Sequence, residues 1–225
     1  MRRVLIVAHR GASAYEPENT IKSFERAFQL GADFVELDVR MSRDGVLVVI
    51  HDEAVDRTTN GSGLVRDLSV RQLKLLDAGR GEKIPTLEEV LERFRERKHR
   101  FFVEVKEPGL EEKLLETIIG HEAEDNVVIT SFYHTVLRKI REMRKDIKCG
   151  AIFACQPVNP EKLAIAAEAS ILLPKYKYVN AEMVRRAHKN NLSIIPWTIN
   201  DKDNAKKMIN LDVDGIVTDK PDILK

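Results

Sequence analysis

Four clusters of ionisable residues sit at or just after short apolar runs: His9-Arg10-Gly11, Glu36-x-Asp38, His51-Asp52 and Glu104-x-Lys106. Side chains alternate along an extended strand, so Glu36 and Asp38 share one face, as do Glu104 and Lys106. A charge within an apolar strand is costly unless it is paired or bound to something. Ion pairing within the fold, Glu104 with Lys106 or Asp38 with Arg40, would account for any single pair. All four clusters at one end of the strands point instead to a site. Three carboxylates offer the hard oxygen ligands that suit one divalent cation, Mg²⁺, Ca²⁺ or Mn²⁺. Zinc would call for histidine or cysteine at regular spacing, and the sequence has neither H-x-x-x-H nor C-x-x-C. Two imidazoles can serve as acid and base near neutral pH. Arg10 and Lys106 supply the charge and donors that a phosphate needs. A cation, two imidazoles and two basic groups together point to phosphoryl chemistry.

Those clusters must be positioned by strands. The candidates are Val4–Ala8, Phe34–Asp38, Phe101–Lys106, Val127–Ser131, Cys149–Ala154, Ile171–Pro174, Ile194–Trp197 and Gly215–Thr218. Helical patterns alternate with them: Asn19/Thr20 to Gly31, Thr86–Arg97, Leu110–His121, Tyr133–Arg144, Pro160–Ala169, Asn180–Asn190 and Asp201–Asn210, with a closing turn from Pro221. Eight near-continuously apolar strands, each followed by a helix, predict an α/β fold, a (β/α)₈ TIM barrel with its site on the C-terminal rim. The open doubly wound alternative lacks its glycine-rich fingerprint after the first strand. Between Asp38 and Val46 there is no room for a helical crossover. Asp44-Gly45 there reads as a two-residue hairpin turn, pairing Arg43 with Val46, Arg40 with Val49 and Asp38 with His51. The polar stretch 52–83 that follows reads as a small insertion over the barrel mouth, inside a single domain spanning 1–225.

Charged residues make up 32% of the 225 and hydrophobic ones 43%, an ordinary globular composition. With 37 Lys+Arg against 36 Asp+Glu, no basic excess marks a nucleic-acid surface. The basic run at Arg93–Arg100 is read as the cationic end of a helix. The apolar start stops at His9-Arg10, too short for a signal sequence, and no stretch reaches the ~20 apolar residues of a transmembrane segment. A cytoplasmic location is expected, with Cys149 and Cys155 as free thiols. Asn19 is read as a helix N-cap, Lys175 as solvated, and His99, His121, His134 and His188 as surface residues. Trp197, the one tryptophan, lies at a strand end and so is a candidate site residue.

The segments HRG (9–11), PENT (17–20), ELDVRMSRDGVLVVIHD (36–52), RTTNGSG (57–63), DAG (77–79), IPTLEEVL (84–91), EVK (104–106), SF (131–132) and WTIN (197–200) closely resemble the glycerophosphodiester phosphodiesterase family. The resemblance runs in order along nearly the whole chain. It implies a phospholipase-C-like barrel that cleaves glycerophosphodiesters, small-molecule substrates, to an alcohol and sn-glycerol 3-phosphate. By position it implies Glu36, Asp38 and Glu104 as metal ligands and His9 and His51 as the acid–base pair. It further implies Arg10 and Lys106 as phosphate-binding groups and Trp197 as the aromatic contact for the glycerol moiety. Residue roles and family together suggest that the substrate's own neighbouring hydroxyl attacks first, giving a cyclic phosphate that water then opens. A non-catalytic phosphate-binding barrel is the rival from another class; it would need no pair of histidines.

Overall fold

The computed structural model describes residues 3–96 and 98–225. Its strands are β1 (Leu5–Ala8), β2 (Phe34–Met41), β3 (Leu47–Val49), β4 (Phe101–Val105), β5 (Val127–Ser131), β6 (Lys148–Phe153), β7 (Ile171–Pro174), β8 (Ser193–Ile194) and β9 (Gly215–Thr218). All but β3 are parallel, in the order β8-β7-β6-β5-β4-β2-β1-β9. Backbone bonds from Asp214 N to Ile194 O (3.0 Å) and from Val217 N to Pro196 O (2.9 Å) join the two ends. This is the expected (β/α)₈ barrel. The strand expected over Ile194–Trp197, β8, is shorter than expected because Pro196 cannot donate to a ladder. Its extended course persists, since Ile195 N bonds Leu172 O (2.9 Å) and Trp197 N bonds Pro174 O (3.1 Å).

Among the described residues there are eight α-helices: α1 (Ile21–Gln29), α2 (Val70–Leu75), α3 (Leu87–Arg93), α4 (Glu111–Gly120), α5 (His134–Met143), α6 (Pro160–Ala166), α7 (Ala181–Lys189) and α8 (Lys202–Asn210). Several starts are set by side-chain caps: Thr20, Thr86, Asn180 and Asp201 each accept from a backbone N–H in the first turn. The helix expected over Thr86–Arg97 ends at Arg93, and Arg97 lies outside the described residues. Alternation along the strands makes two cores. Outward residues such as Val35, Leu37, Phe101, Val103 and Ile129 pack under the helices. Inward residues Val7, Phe102, Val128, Ile152, Leu173 and Val217 fill the barrel, leaving the tops of the strands to polar groups.

The hairpin exists, but its register differs by one residue from the expected one. Val39 pairs with Val49, Arg40 with Val48 and Met41 with Leu47. Gly45 N bonds Ser42 O (3.0 Å) and Ser42 N bonds Val46 O (2.9 Å), with Gly45 at φ 78°. That is a three-residue loop, a type I turn closed by a left-handed glycine, not a two-residue turn. Asp38 therefore faces Ile50, whose N–H bonds Asp38 O (3.0 Å), and His51 lies one step beyond the ladder. The stretch 52–83 has its own small core, in which Val55, Val65 and Leu73 cluster with Val48 and Ile50. Ser69 and Gln72 form a capping box for α2 within it.

The four histidines read as surface residues are half-buried and tied in place. His99 packs on Phe28 with ring centroids 4.6 Å apart. His121 Nδ1 donates to Thr117 O (2.9 Å) and His134 Nε2 to Ile152 O (2.8 Å), while His188 Nε2 meets Asp214 Oδ2 at 3.0 Å. Cys149 is buried in β6 and Cys155 is exposed beyond it, both free. No described helix is long and apolar enough to cross a membrane.

Candidate active site

At the C-terminal end of β1 the chain turns sharply. Arg10 and Gly11 both adopt positive φ (55° and 83°), and a Cβ on Gly11 would stand 2.3 Å from Ser23 Oγ. Glycine is required there because the loop is pressed against α1. The turn aims Arg10 N at Glu36 Oε2 (2.9 Å). Glu36 and Asp38 rise from β2 and Glu104 from β4, with Asp38 directly beside Glu104 in the ladder. Carboxylate oxygens of these three buried residues lie within 4.8 Å of one another.

Cations interleave with these acids. Lys106 Nζ lies 2.7 Å from Glu104 Oε1 and 3.4 Å from Asp38 Oδ1. Arg10 Nε lies 3.3 Å from Asp38 Oδ2, which also accepts from Asn19 Nδ2 (2.8 Å). Asn19 is thus a buried partner of Asp38 and not the helix cap, a place taken by Thr20. The pairing of Asp38 with Arg40 does not form. Arg40 turns instead to His51 O (2.8 Å) and Glu107 (3.0 Å), fixing the His51 backbone from behind.

The carboxyls divide electrostatically. Burial first, then the Asp38 charge, pushes Glu36 up to about 8, and the same two causes raise Glu104. Asp38 goes the other way: burial opposes its charge, but Lys106, Arg10, His51 and Asn19 outweigh it. Glu36 Oε1 and Asp38 Oδ1 are buried with no hydrogen bond among the described residues.

Each candidate histidine has an aspartate on Nδ1. His9 Nδ1 donates to Asp219 Oδ1 (2.7 Å), and Asp219 is held in turn by Ser13 Oγ (3.1 Å) and Asn200 Nδ2 (2.5 Å). Burial works against charge on His9, yet the Asp219 bond and the Glu36 charge hold it above its ordinary value. His51 Nδ1 donates to Asp52 Oδ1 (2.5 Å). Burial dominates there and keeps His51 low despite Asp38 and Asp52. Arg57 joins the two sides, donating to Asp52 Oδ2 (2.5 Å) and to both oxygens of Glu18 (2.8 and 2.9 Å), while Glu18 accepts from Arg10 (3.0 Å). Asp219, Glu18 and Arg57 carried no role in the sequence reading. Ion-pair partners from distant segments leave no local signature, although PENT, RTT and WTIN held Glu18, Arg57 and Asn200 in plain view.

His9, Arg10, Glu36, His51, Glu104 and Lys106 line one cavity of about 180 Å³. Its opposite wall is apolar, built from Phe132, Ile152, Leu173, Trp197 and Val217. Trp197 donates Nε1 to Leu173 O (2.8 Å) and meets the Phe132 ring edge-on at 5.6 Å. Lys175, read as solvated, is half-buried with its Nζ 5.8 Å from the Trp197 ring. The volume is below the ~300–1,000 Å³ of drug-sized pockets and suits a small polar ligand with a carbon backbone.

The Glycerophosphoryl diester phosphodiesterase family matches residues 9–223. A glycerophosphodiester phosphodiesterase of Caldanaerobacter subterraneus subsp. tengcongensis is 44% identical over 99% of this chain and 96% of its own. One from Bacillus subtilis is 36% identical over 98% of this chain and 85% of its own. Among solved structures, an Oleispira antarctica phosphodiesterase in complex with the product sn-glycerol-3-phosphate aligns with a TM-score of 0.91 at 30% identity, covering 97% of this chain and 94% of that one. A Thermotoga maritima glycerophosphodiester phosphodiesterase aligns at 0.86 and 30% identity, covering 100% and 98%. With its barrel, its rim of acids and histidines and these likenesses, the chain belongs to the glycerophosphoryl diester phosphodiesterase family and is an enzyme of it.

Proposed function

We propose that the chain hydrolyses glycerophosphodiesters to an alcohol and sn-glycerol 3-phosphate, with one divalent cation held by Glu36, Asp38 and Glu104. The observation that carries the reading is the convergence of these three acids, two of which, Glu36 and Glu104, line one cavity with His9 and His51, in a chain of this family. The acids fit a cation. Ligand oxygens ~2.0–2.6 Å from one ion stand no more than about 5 Å apart, and these lie within 4.8 Å. Glu36 Oε1 and Asp38 Oδ1 make no hydrogen bond among the described residues. Bound there, Mg²⁺, Ca²⁺ or Mn²⁺ supplies Lewis-acid polarisation of the phosphoryl group and offsets its growing charge. Arg10 and Lys106 bind the phosphate, and the Trp197 wall takes the glycerol carbons.

The two histidines divide the proton work. His51, held neutral, takes the proton from the glycerol hydroxyl next to the ester, and that oxygen forms the new bond to phosphorus. His9, held toward imidazolium by Asp219, gives its proton to the departing alcohol oxygen as the old ester bond breaks. The product of this step is a cyclic glycerol phosphate. Water then adds to phosphorus, giving its proton to His9. The ring bond between phosphorus and the glycerol 2-oxygen breaks as His51 returns its proton to that oxygen, and both histidines are restored. Attack from within the substrate has the large effective concentration of an intramolecular reaction.

The test is a pair of substrates, glycerophosphocholine and its analogue with hydrogen in place of the 2-hydroxyl. Glycerophosphocholine should release sn-glycerol 3-phosphate and the analogue should not react. An inert parent substrate sinks the activity, whereas normal cleavage of the analogue sinks only the cyclic route.

A further inference from the structure

The cavity wall changes character around the barrel. At the tops of β1, β2 and β4 it carries ionisable residues beside Phe102; from β6 to β9 its residues are Ile152, Leu173, Trp197 and Val217. Thr130, on β5, sits on the seam. In the ladder it lies between Glu104 on one side and Gly150 on the other. It lines the cavity, is 1% exposed, and its hydroxyl has no hydrogen-bond partner among the described residues. Buried polar groups are nearly always satisfied, so an orphan at a ligand cavity calls for a partner from the ligand.

The side chain is also held in place. A Cβ on Gly150 would stand 3.2 Å from Thr130 Cγ2 and 2.5 Å from Leu173 Cδ1, so the missing side chain is what lets these two pack there. Its methyl thus lies beside β6, and its hydroxyl is buried without a partner among the described residues. Nothing else on the apolar wall can serve a polar group. Phe132, Ile152, Leu173 and Val217 carry none, and the Trp197 N–H is already given to Leu173 O.

We propose that Thr130 is a specificity-determining residue whose hydroxyl binds the terminal hydroxyl of the glycerol moiety. The inference rests on the phosphodiesterase reading above. With the phosphate among the cations and the 2-hydroxyl near the histidines, the carbon chain lies along the apolar wall. Its terminal hydroxyl is then the polar group left to satisfy, and Thr130 is the unused polar side chain at the seam among the described residues. Binding pairs two groups that would each otherwise be buried alone, which is the arrangement that rejects an analogue lacking the hydroxyl.

The experiment compares wild type, Thr130→Val and Thr130→Ser on glycerophosphocholine and on the matching phosphocholine diester of propane-1,2-diol, which keeps the attacking hydroxyl and lacks the terminal one. Thr130→Val should lose on the order of 10-fold in kcat/KM on the glycerol substrate, and Thr130→Ser should keep most of it. On the propanediol substrate wild type and Thr130→Val should be equal. Thermal unfolding of the ligand-free Thr130→Val protein should match or exceed wild type, since the hydroxyl it removes has no partner to lose. Equal kcat/KM of wild type and Thr130→Val on the glycerol substrate overturns the proposal. So does an equal loss on both substrates, which would place the hydroxyl on the phosphate side. Wild type inert on both substrates would refute the phosphodiesterase reading itself.

Discussion

Replacing Glu36 with glutamine should stabilise the chelated protein at pH 8 and remove its response to added cation. Without a cation beside it, Glu36 sits at about 8 because it is buried and faces the Asp38 charge. The unfolded chain releases the same proton near 4.5. Between these values the folded state binds the proton more tightly, so the stabilisation is complete below pH 4.5 and is lost as pH rises through about 8. At ~1.4 kcal/mol per pH unit the loss approaches about 5 kcal/mol. That figure is an upper bound, because ionisation lets the carboxylates separate and admits water. In a chain of this length ~1 kcal/mol moves Tm by about 2–4 °C, so the chelated wild type should melt roughly 5–15 °C lower near pH 8 than the glutamine variant. Near pH 5 the two should converge, since the wild-type carboxyl is then protonated as well. Glu104, raised by burial and the Asp38 charge, is present in both proteins and drops out of the comparison, whereas His9 loses the lift of the Glu36 charge in the variant. Added Mg²⁺ or Mn²⁺ should reverse the order at pH 8, because binding to the folded state stabilises wild type and the variant has lost a ligand. The assay is thermal unfolding by circular dichroism from pH 5 to 8.5, with chelator and with cation. Equal melting of the two chelated proteins at pH 8, or a less stable variant, would refute the reasoning.

His9→Ala and His51→Ala should each lose on the order of 10²–10⁴ in turnover, while calorimetric titration finds cation affinity unchanged. Asp219→Asn should lower turnover at least about 10-fold by withdrawing the charge behind the imidazolium. It should also move the pH limb assigned to His9 downward, because the Asp219 bond is what raises that group; a kcat–pH profile measures this. Arg57→Met should reduce kcat/KM roughly 10-fold by freeing both Asp52 and Glu18, with a small change in Tm because the side chain is 48% exposed.

The barrel was legible because its strands are apolar on both faces except at one end, where charges at a spacing of two had to face a single rim. That logic put Glu36 with Asp38 and Glu104 with Lys106 from period alone, and the four side chains do stand together. The hairpin shows where it fails. Asp44-Gly45 suits a two-residue and a three-residue loop alike, and which one forms depends on Ser42 closing the turn with Val46. His51 nevertheless reaches the cavity, because Arg40 grips its carbonyl and Asp52 its ring, contacts that the turn does not encode. Asn19 shows a second limit. An asparagine before a helix looks like a cap, but Thr20 beside it takes that place and frees Asn19 for Asp38. Asp219 is 210 residues from His9 in sequence, so their pairing follows only from closure of the barrel. Thr130 gave no signal at all, since a lone threonine in a strand is ordinary until its hydroxyl is seen to lack a partner.

The most direct test of the central claim is release of sn-glycerol 3-phosphate from glycerophosphocholine, followed in protein stripped by exhaustive chelation and dialysis and again after a divalent cation is restored. The expected result is no release from the stripped protein and recovery of activity with cation, reaching saturation at one ion per chain. Full activity in metal-free buffer would contradict the account, because Glu36, Asp38 and Glu104 would then converge for some other purpose.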